Sequence, residues 1–268
     1  LDAQSGQIKT IRIAFLVAVI AAVSALAVFS WFFTRKMIRP LEKSRKEQNA
    51  FIAAASHELR SPLTVIQTSL SAVSYADPEQ TEHFISISLD ECKRMSRLIQ
   101  DMLSLSRSDN HTWVLDCTSC EIDTLLLDVY EKYEQTARHK KKQLLIELPE
   151  DSLPVCFCDS LKISQALAIL IDNALAYVPE GGMIRLSARQ EAASVSLFVA
   201  DNGPGIPDSE KEAVFQRFYR SDTSRNDKQH FGLGLCIAKE IALLHHGTLS
   251  VSDTPGGGAT FQLKLPVH

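Results

Sequence analysis

Glycine is nearly missing from the first two thirds of the chain: of eleven glycines, only Gly6 precedes residue 181. A tightly turning first half is thereby excluded, and the chain is expected to open with rods and close with a loop-rich pocket. Cysteine is sparse, six in 268 residues, far below the density of a disulfide scaffold. There is no excess of positive charge either. The 28 Lys and Arg face 32 Asp and Glu, a net charge of −4, without the basic face a nucleic-acid binder carries. With 45% hydrophobic residues and both signs of charge, disorder is excluded, and the length suffices for about two domains. An initial Met is also lacking. The chain begins at Leu1 and is expected to be the C-terminal part of a longer protein.

Charge is absent from Ile13–Phe33, a run of 21 residues whose only hydroxyls are Ser24 and Ser30. As a helix it spans roughly 30 Å, the hydrocarbon thickness of a bilayer. It exceeds the apolar stretch of a signal peptide and lacks the polar stripe of a core helix. Residues 34–48 hold Arg35, Lys36, Arg39, Lys43, Arg45 and Lys46, against Lys9 and Arg12 on the other flank. Basic residues stay inside, so the long C-terminal part is expected in the cytoplasm, with Trp31, Phe32 and Phe33 at the inner interface. An outward start without a signal implies a missing upstream segment.

Beyond Ile38, spacings of three and four pick out Ile38, Leu41, Arg45, Gln48, Ile52, Ala55 and Leu59, a heptad-like seam. Tyr75–Glu79 reads as a turn, and a second stripe follows through Phe84, Ile87, Met95, Leu98, Met102 and Leu105. Two such helices make a hairpin too narrow to bury both faces, so a four-helix dimer is expected. His57 lies off the seam, facing solvent, followed by Glu58, with Ser61 one turn on and Pro62 expected to bend or loosen the helix. An exposed neutral imidazole beside a carboxylate is a candidate nucleophile, though a lone helical His is usually just solvated. The string Phe51-Ile-Ala-Ala-Ala-Ser-His-Glu-Leu-Arg-Ser-Pro-Leu-Thr64 resembles the phosphoacceptor box of sensor histidine kinases, with Ser61 where that family more often has Thr or Asn.

The second half alternates strands (Gln143–Leu148, Met183–Arg189, Ser194–Ala200, Thr248–Val251, Thr260–Leu265) with helices (Ile122–Arg138, Ser160–Val178, Gly234–His246), as in a layered α/β domain. Asp201-Asn-Gly-Pro-Gly-Ile206 follows a strand, where Asp201 suits an exocyclic amine and glycines allow close approach. Gly232-Leu-Gly-Leu235 leads into a helix whose free N–H groups suit phosphate. Each alone is weak. In order, Asn173, Asp-x-Gly-x-Gly, Phe215…Phe218-Tyr-Arg220, Gly-Leu-Gly-Leu and Gly-x-Ala-Thr-Phe261 resemble the ATP-binding domain of the same kinases, and the likeness runs over residues 35–266.

That resemblance implies a role for each matching residue. Asn173 would bind the Mg²⁺ that bridges the ATP phosphates, Tyr177 would line the pocket, and Asp201 would read the adenine amine. Gly203, Gly205, Ile206, Phe218, Leu233, Leu235 and Thr260 would complete the nucleotide site. Arg220 would meet the γ-phosphate, and Gly232 and Gly234 would hold phosphates under a mobile lid between Arg220 and Gly232. The chain departs from the family pattern at Ile169, where a first Asn is usual, at Ala176 for Lys or Arg, at Val178 for Thr or Ser, and at Gln229-His230 for Gly-Gly. From Pro40 to His57 there is no room for the family's two-helix HAMP relay, so the membrane helix must feed directly into the phosphoacceptor helix.

Three other signals carry blander readings. Cys117-x-x-Cys120 and Cys156-x-Cys158 invite zinc but read as small buried thiols near strand edges. Arg138–Lys142 reads as a solvated helix end, and His245-His246 before Gly247 as a C-terminal cap.

The expectation is a membrane-anchored multidomain chain: one transmembrane helix, an all-α hairpin that dimerises as a four-helix bundle, and a two-layer α/β ATP-binding domain of the Bergerat type. Its segments are an extracytoplasmic remnant (1–12), the membrane helix (13–33), a signalling helix (34–50), the phosphoacceptor domain (51–109) and the catalytic domain (110–268). As a homodimeric histidine kinase of the inner membrane, it would use ATP and Mg²⁺ to phosphorylate His57, assisted by Glu58, and pass the group to a response-regulator aspartate. Ser61 would position water for a phosphatase reaction, and no nucleic acid is involved. Two alternatives follow from the departures and from the ATPase motifs: a phosphatase-biased or pseudokinase receptor, and a gyrase-like ATPase.

Overall fold

The computed structural model describes residues 2–109, 112–220 and 231–267. It divides into two compact units, residues 1–57 and 58–268.

Helix α1 (Asp2–Phe33) is followed by a π-helical turn, Thr34–Ile38, and by α2 (Arg39–Val73). Every described side chain from residue 11 to 42 is exposed, and an 18-residue window within Ile11–Glu42 reaches a mean hydropathy of 2.7. Arg35 lies 4.6 Å over the Trp31 ring and Lys36 5.2 Å over Phe32, the aromatic–basic pairing suited to a water–lipid boundary. The wide turn has a local cause. Pro40 has no N–H, and its ring displaces the carbonyl four residues back, so the Arg39 N–H reaches Thr34 O instead. Pro62, where the sequence predicts a bent or loosened helix, lies inside α2, and the π-helical turn lies a proline earlier.

Asp77 caps α3 (Pro78–Asp109), its Oδ1 accepting from Gln80 N at 2.8 Å, with Pro78 in the first turn. β1 (Thr118–Glu121), α4 (Ile122–His139), β2 (Gln143–Glu147), β3 (Val155–Cys158), α5 (Ser160–Tyr177), β4 (Met183–Glu191), β5 (Ser194–Asp201), α6 (Gly234–Leu244), β6 (Thr248–Asp253) and β7 (Ala259–Pro266) complete the chain. The main sheet runs β2-β4-β5-β7-β6, with only β2–β4 parallel. Strict alternation on β7 turns Ala259, Phe261, Leu263 and Leu265 inward, into the same core as Ile163, Leu167 and Leu170 of α5 and Ile237 and Ile241 of α6, all fully buried or nearly so. The two-layer α/β architecture is as expected.

β1 and β3 form a separate antiparallel ribbon that places Cys120 opposite Cys156. Cys120, Cys156 and Cys158 are buried and free, and burial pushes their thiols above the ordinary range. Among the described residues no cluster of three or more His, Cys, Asp or Glu could hold a metal ion. His245 does cap a helix end, through Nδ1 to Ile241 O at 2.8 Å. It also does more, because its Nε2 accepts from Asp159 N at 3.0 Å. Asp159 in turn caps α5, Oδ1 accepting from Lys162 N. His245→Ala strands a buried N–H, so urea unfolding of the catalytic domain is expected to show a loss of about 2 kcal/mol.

Candidate functional site

A cavity of about 480 Å³ opens between α5, the end of β5, the start of α6 and one flank of α3. α5 contributes Ile169, Asp172, Asn173 and Tyr177 from its last three turns, and β5 delivers Asp201 at its C-terminal end. Gly205 and Ile206 follow from the next loop, and Gly232–Leu235 line the cavity and lead into α6, whose first turn has no side-chain cap.

Asp201 is the anchor. It is 7% exposed, and its Oδ1 accepts from Gly203 N at 2.8 Å and Ala259 N at 3.2 Å. Oδ2 is left as the acceptor for a donor entering the cavity. Burial raises its pKa, the two backbone N–H groups opposing the rise. Two glycines permit close backbone approaches around the cavity. Gly258, at φ 108°, brings β7 so close that a Cβ would meet Asp201 O at 1.9 Å, and Gly232, at φ 72°, would set one 2.5 Å from Tyr219 O.

α3 closes one side. Arg94, Arg97, Gln100 and Asp101 all line the cavity. Arg94 stacks over Phe231, 4.4 Å from the ring centroid, and its Nη1 reaches Glu91 at 3.3 Å. Its Nε is buried with no partner among the described residues. Burial raises Asp101 to about 6, the Arg97 charge opposing this. Farther along, Ser108 Oγ donates to Glu240 Oε2 of α6 at 2.7 Å.

Of the residues singled out in the sequence, Asn173, Tyr177, Asp201, Gly205, Ile206, Arg220, Gly232, Leu233, Gly234 and Leu235 share this cavity. Gly203, Phe218 and Thr260 stand behind it. Gly203 N binds Asp201, Phe218 N donates to Gly232 O at 2.9 Å, and Thr260 Oγ1 pairs with Thr254. Gln229, His230 and most of the lid lie outside the described residues. Ile169 packs its Cγ2 at the open flank of Gly234, and Val178 is buried over Gly182. The sequence reading did not pick out the α3 wall or Phe231, and it met Lys140 and Ala259 only inside the basic run and the Gly-x-Ala-Thr-Phe261 string. His57 and Ser61 are exposed and Glu58 half-buried on α2, with Ser56 Oγ bonded back to Ile52 O.

The described donors suit a magnesium–nucleotide pair. A small hard cation keeps most of its waters and needs only one or two protein oxygens plus phosphates, and Asn173 and Asp172 offer these at the cavity wall.

A two-layer α/β domain with a carboxylate-anchored, glycine-lipped cavity, preceded by a helical hairpin bearing an exposed histidine, is the two-domain arrangement that known histidine kinases match. Residues 47–111 match the His Kinase A (phospho-acceptor) domain, and residues 158–268 the histidine kinase-, DNA gyrase B- and HSP90-like ATPases. The adaptive-response sensory kinase SasA of Crocosphaera subtropica is 31% identical over 88% of this chain and 64% of its own. The sensor histidine kinase WalK of Bacillus subtilis is 35% identical over 84% and 38%. Among solved structures, the Acinetobacter baumannii histidine kinase AdeS superposes with a TM-score of 0.63 at 26% identity, covering 79% of this chain and 98% of its own. The chain belongs to the sensor histidine kinases of two-component systems. It spans about half the length of the curated relatives it matches.

Proposed function

We propose that the cavity binds ATP and that the γ-phosphoryl group is transferred to a ring nitrogen of His57. The β–γ P–O bond breaks, an N–P bond forms, and ADP leaves. The phosphoramidate then passes to an aspartate of a response regulator. The observation that carries this is one chain holding both an exposed His57 in Ser-His-Glu-Leu-Arg and a cavity whose floor is the buried Asp201 carboxylate and whose lip is the α6 N-terminus.

In this reading Asp201 accepts the adenine amine, with Gly203, Gly205, Ile206 and Thr260 shaping that end. Tyr177 packs on the nucleotide. Gly232, Leu233, Gly234 and Leu235 present N–H groups to the phosphates, and Phe218 fixes that loop through its bond to Gly232. Arg220 meets the γ-phosphate, and Glu58 orients His57 or takes its proton. Asn173 would hold Mg²⁺, which spreads charge on the phosphates. Ser61 positions water for dephosphorylation.

Leu63, Leu70, Leu89 and Leu103 are 47–55% exposed on the hairpin, an apolar stripe that supports homodimerisation through a four-helix bundle. The apolar α1 and the basic run after it support anchoring in the cell membrane with the catalytic part in the cytoplasm, and the segment boundaries given above. Relatives that bear kinase names over most of this chain do not favour the pseudokinase alternative.

The test is incubation of the full chain in detergent with γ-labelled ATP and Mg²⁺. Acid-labile, alkali-stable label is expected, falling at least about a hundred-fold in His57→Ala. Label that persists in the variant would overturn the acceptor assignment. ATP bound without label would select the phosphatase-biased receptor.

A further inference from the structure

The α3 wall has no part in the function proposed so far, yet it brings two cations to the cavity. α5 brings none, its lining residues being Ile169, Asp172, Asn173 and Tyr177. A bound polyphosphate carries several negative charges, which Arg220 and Lys140 meet from the catalytic domain's side of the cavity, and a further guanidinium is suited to it, presenting several N–H donors in a plane. Arg94 lies over Phe231, the residue that immediately precedes the Gly232–Leu235 loop. Its side chain is 15% exposed, one side of the guanidinium is tied to Glu91, and Nε is buried with no partner among the described residues. A buried orphan donor costs about as much as a lost hydrogen bond, and here it sits at the lip where the phosphates would lie. Arg97 lines the same cavity one turn on and is exposed, so its head can turn toward a ligand.

We propose that Arg94 and Arg97 are ligands of the nucleotide's phosphates, so that the site grips a nucleoside polyphosphate fully only while α3 is docked against it. This rests on the ATP-binding reading above. By linkage, a nucleotide held by both sides strengthens the docking by the same factor that docking strengthens nucleotide binding. The Ser108–Glu240 hydrogen bond between α3 and α6 is then a positioning contact for the nucleotide, though it lies outside the cavity wall.

The experiment compares ATP with adenosine, which has the base and ribose but no phosphate, on the full chain in detergent by calorimetric titration. Arg97→Ala is expected to weaken ATP about ten-fold, the scale of a charge-assisted hydrogen bond partly open to water, and to leave adenosine within about two-fold. Arg94→Ala is expected to do the same, Arg97→Lys to recover part of the loss, and Ser108→Ala to weaken ATP by a few-fold without touching adenosine. Equal weakening of both ligands by either arginine variant would mean packing alone and would overturn the proposal. So would unchanged ATP affinity in both variants. A wild-type chain that bound neither ligand would overturn the nucleotide reading itself.

Discussion

Asp201→Asn is expected to weaken ATP binding by about a hundred-fold while leaving the domain folded. The carboxylate has two separate tasks: Oδ1 receives the N–H groups of Gly203 and Ala259, and Oδ2 is left for the ligand. An amide keeps only one acceptor. If its oxygen stays with the two backbone donors, its NH₂ confronts the incoming amine, donor against donor. The loss of a charge-assisted bond together with an unmet buried donor is worth about 3 kcal/mol, which calorimetry reads directly. The pH dependence has a definite sign. Burial raises the pKa of Asp201, and only the ionised form accepts from the amine on both sides. Affinity is therefore full above that raised pKa and is lost as pH falls through it, earlier than for a carboxyl at its ordinary value of 3.8. In Asp201→Asn this acid limb should vanish. If it persisted, another group would have to own it.

Gly258→Val is expected to cost more than about 4 kcal/mol of catalytic-domain stability in urea, or to prevent folding. Its φ of 108° is hostile to a branched side chain, and its Cβ would sit 1.9 Å from the Asp201 carbonyl oxygen. No side-chain rearrangement relieves a clash with backbone. Gly256→Ala is the control. At φ 92° it shares the strain, but its Cβ meets nothing within 4 Å, so a cost of about 1 kcal/mol is expected. A similar loss in both would show that conformation alone, not the close approach of β7 to β5, makes Gly258 necessary.

What could be read from the sequence follows the range of the interactions. The strands of the main sheet were legible because alternation on β7 and the apolar run of β5 report burial directly, and their observed ends lie within two residues of those expected. Asp201 and the Gly232–Leu235 turn were legible as candidates because each joins a turn or a helix start to a chemical need, whereas Asn173, inside α5, was named only through the resemblance to the kinases. The four-residue strands β1 and β3 are too short to show a period, and their inward cysteines gave no pattern beyond pairing. The α3 wall was out of reach for a different reason. Helical periodicity says that a face is apolar, not what meets it, and Ser108 finds Glu240 across 132 residues of chain. Arg94 and Asp101 look in the sequence like ordinary solvated charges. Only tertiary packing gives one an orphaned donor and the other a pKa of about 6.

The π turn at Thr34–Ile38 bears on how this chain could be spliced. A wide turn houses one residue more than an α turn, so the helix beyond it starts with an angular offset of about 100°, one residue's rotation. A face followed down α1 does not continue as the same face of α2. A chimera that grafts a foreign input helix onto this output must therefore either carry Thr34–Ile38 and Pro40 with the output half, or correct its junction by one residue. Otherwise the register of faces along the start of α2 would be displaced by one residue's rotation.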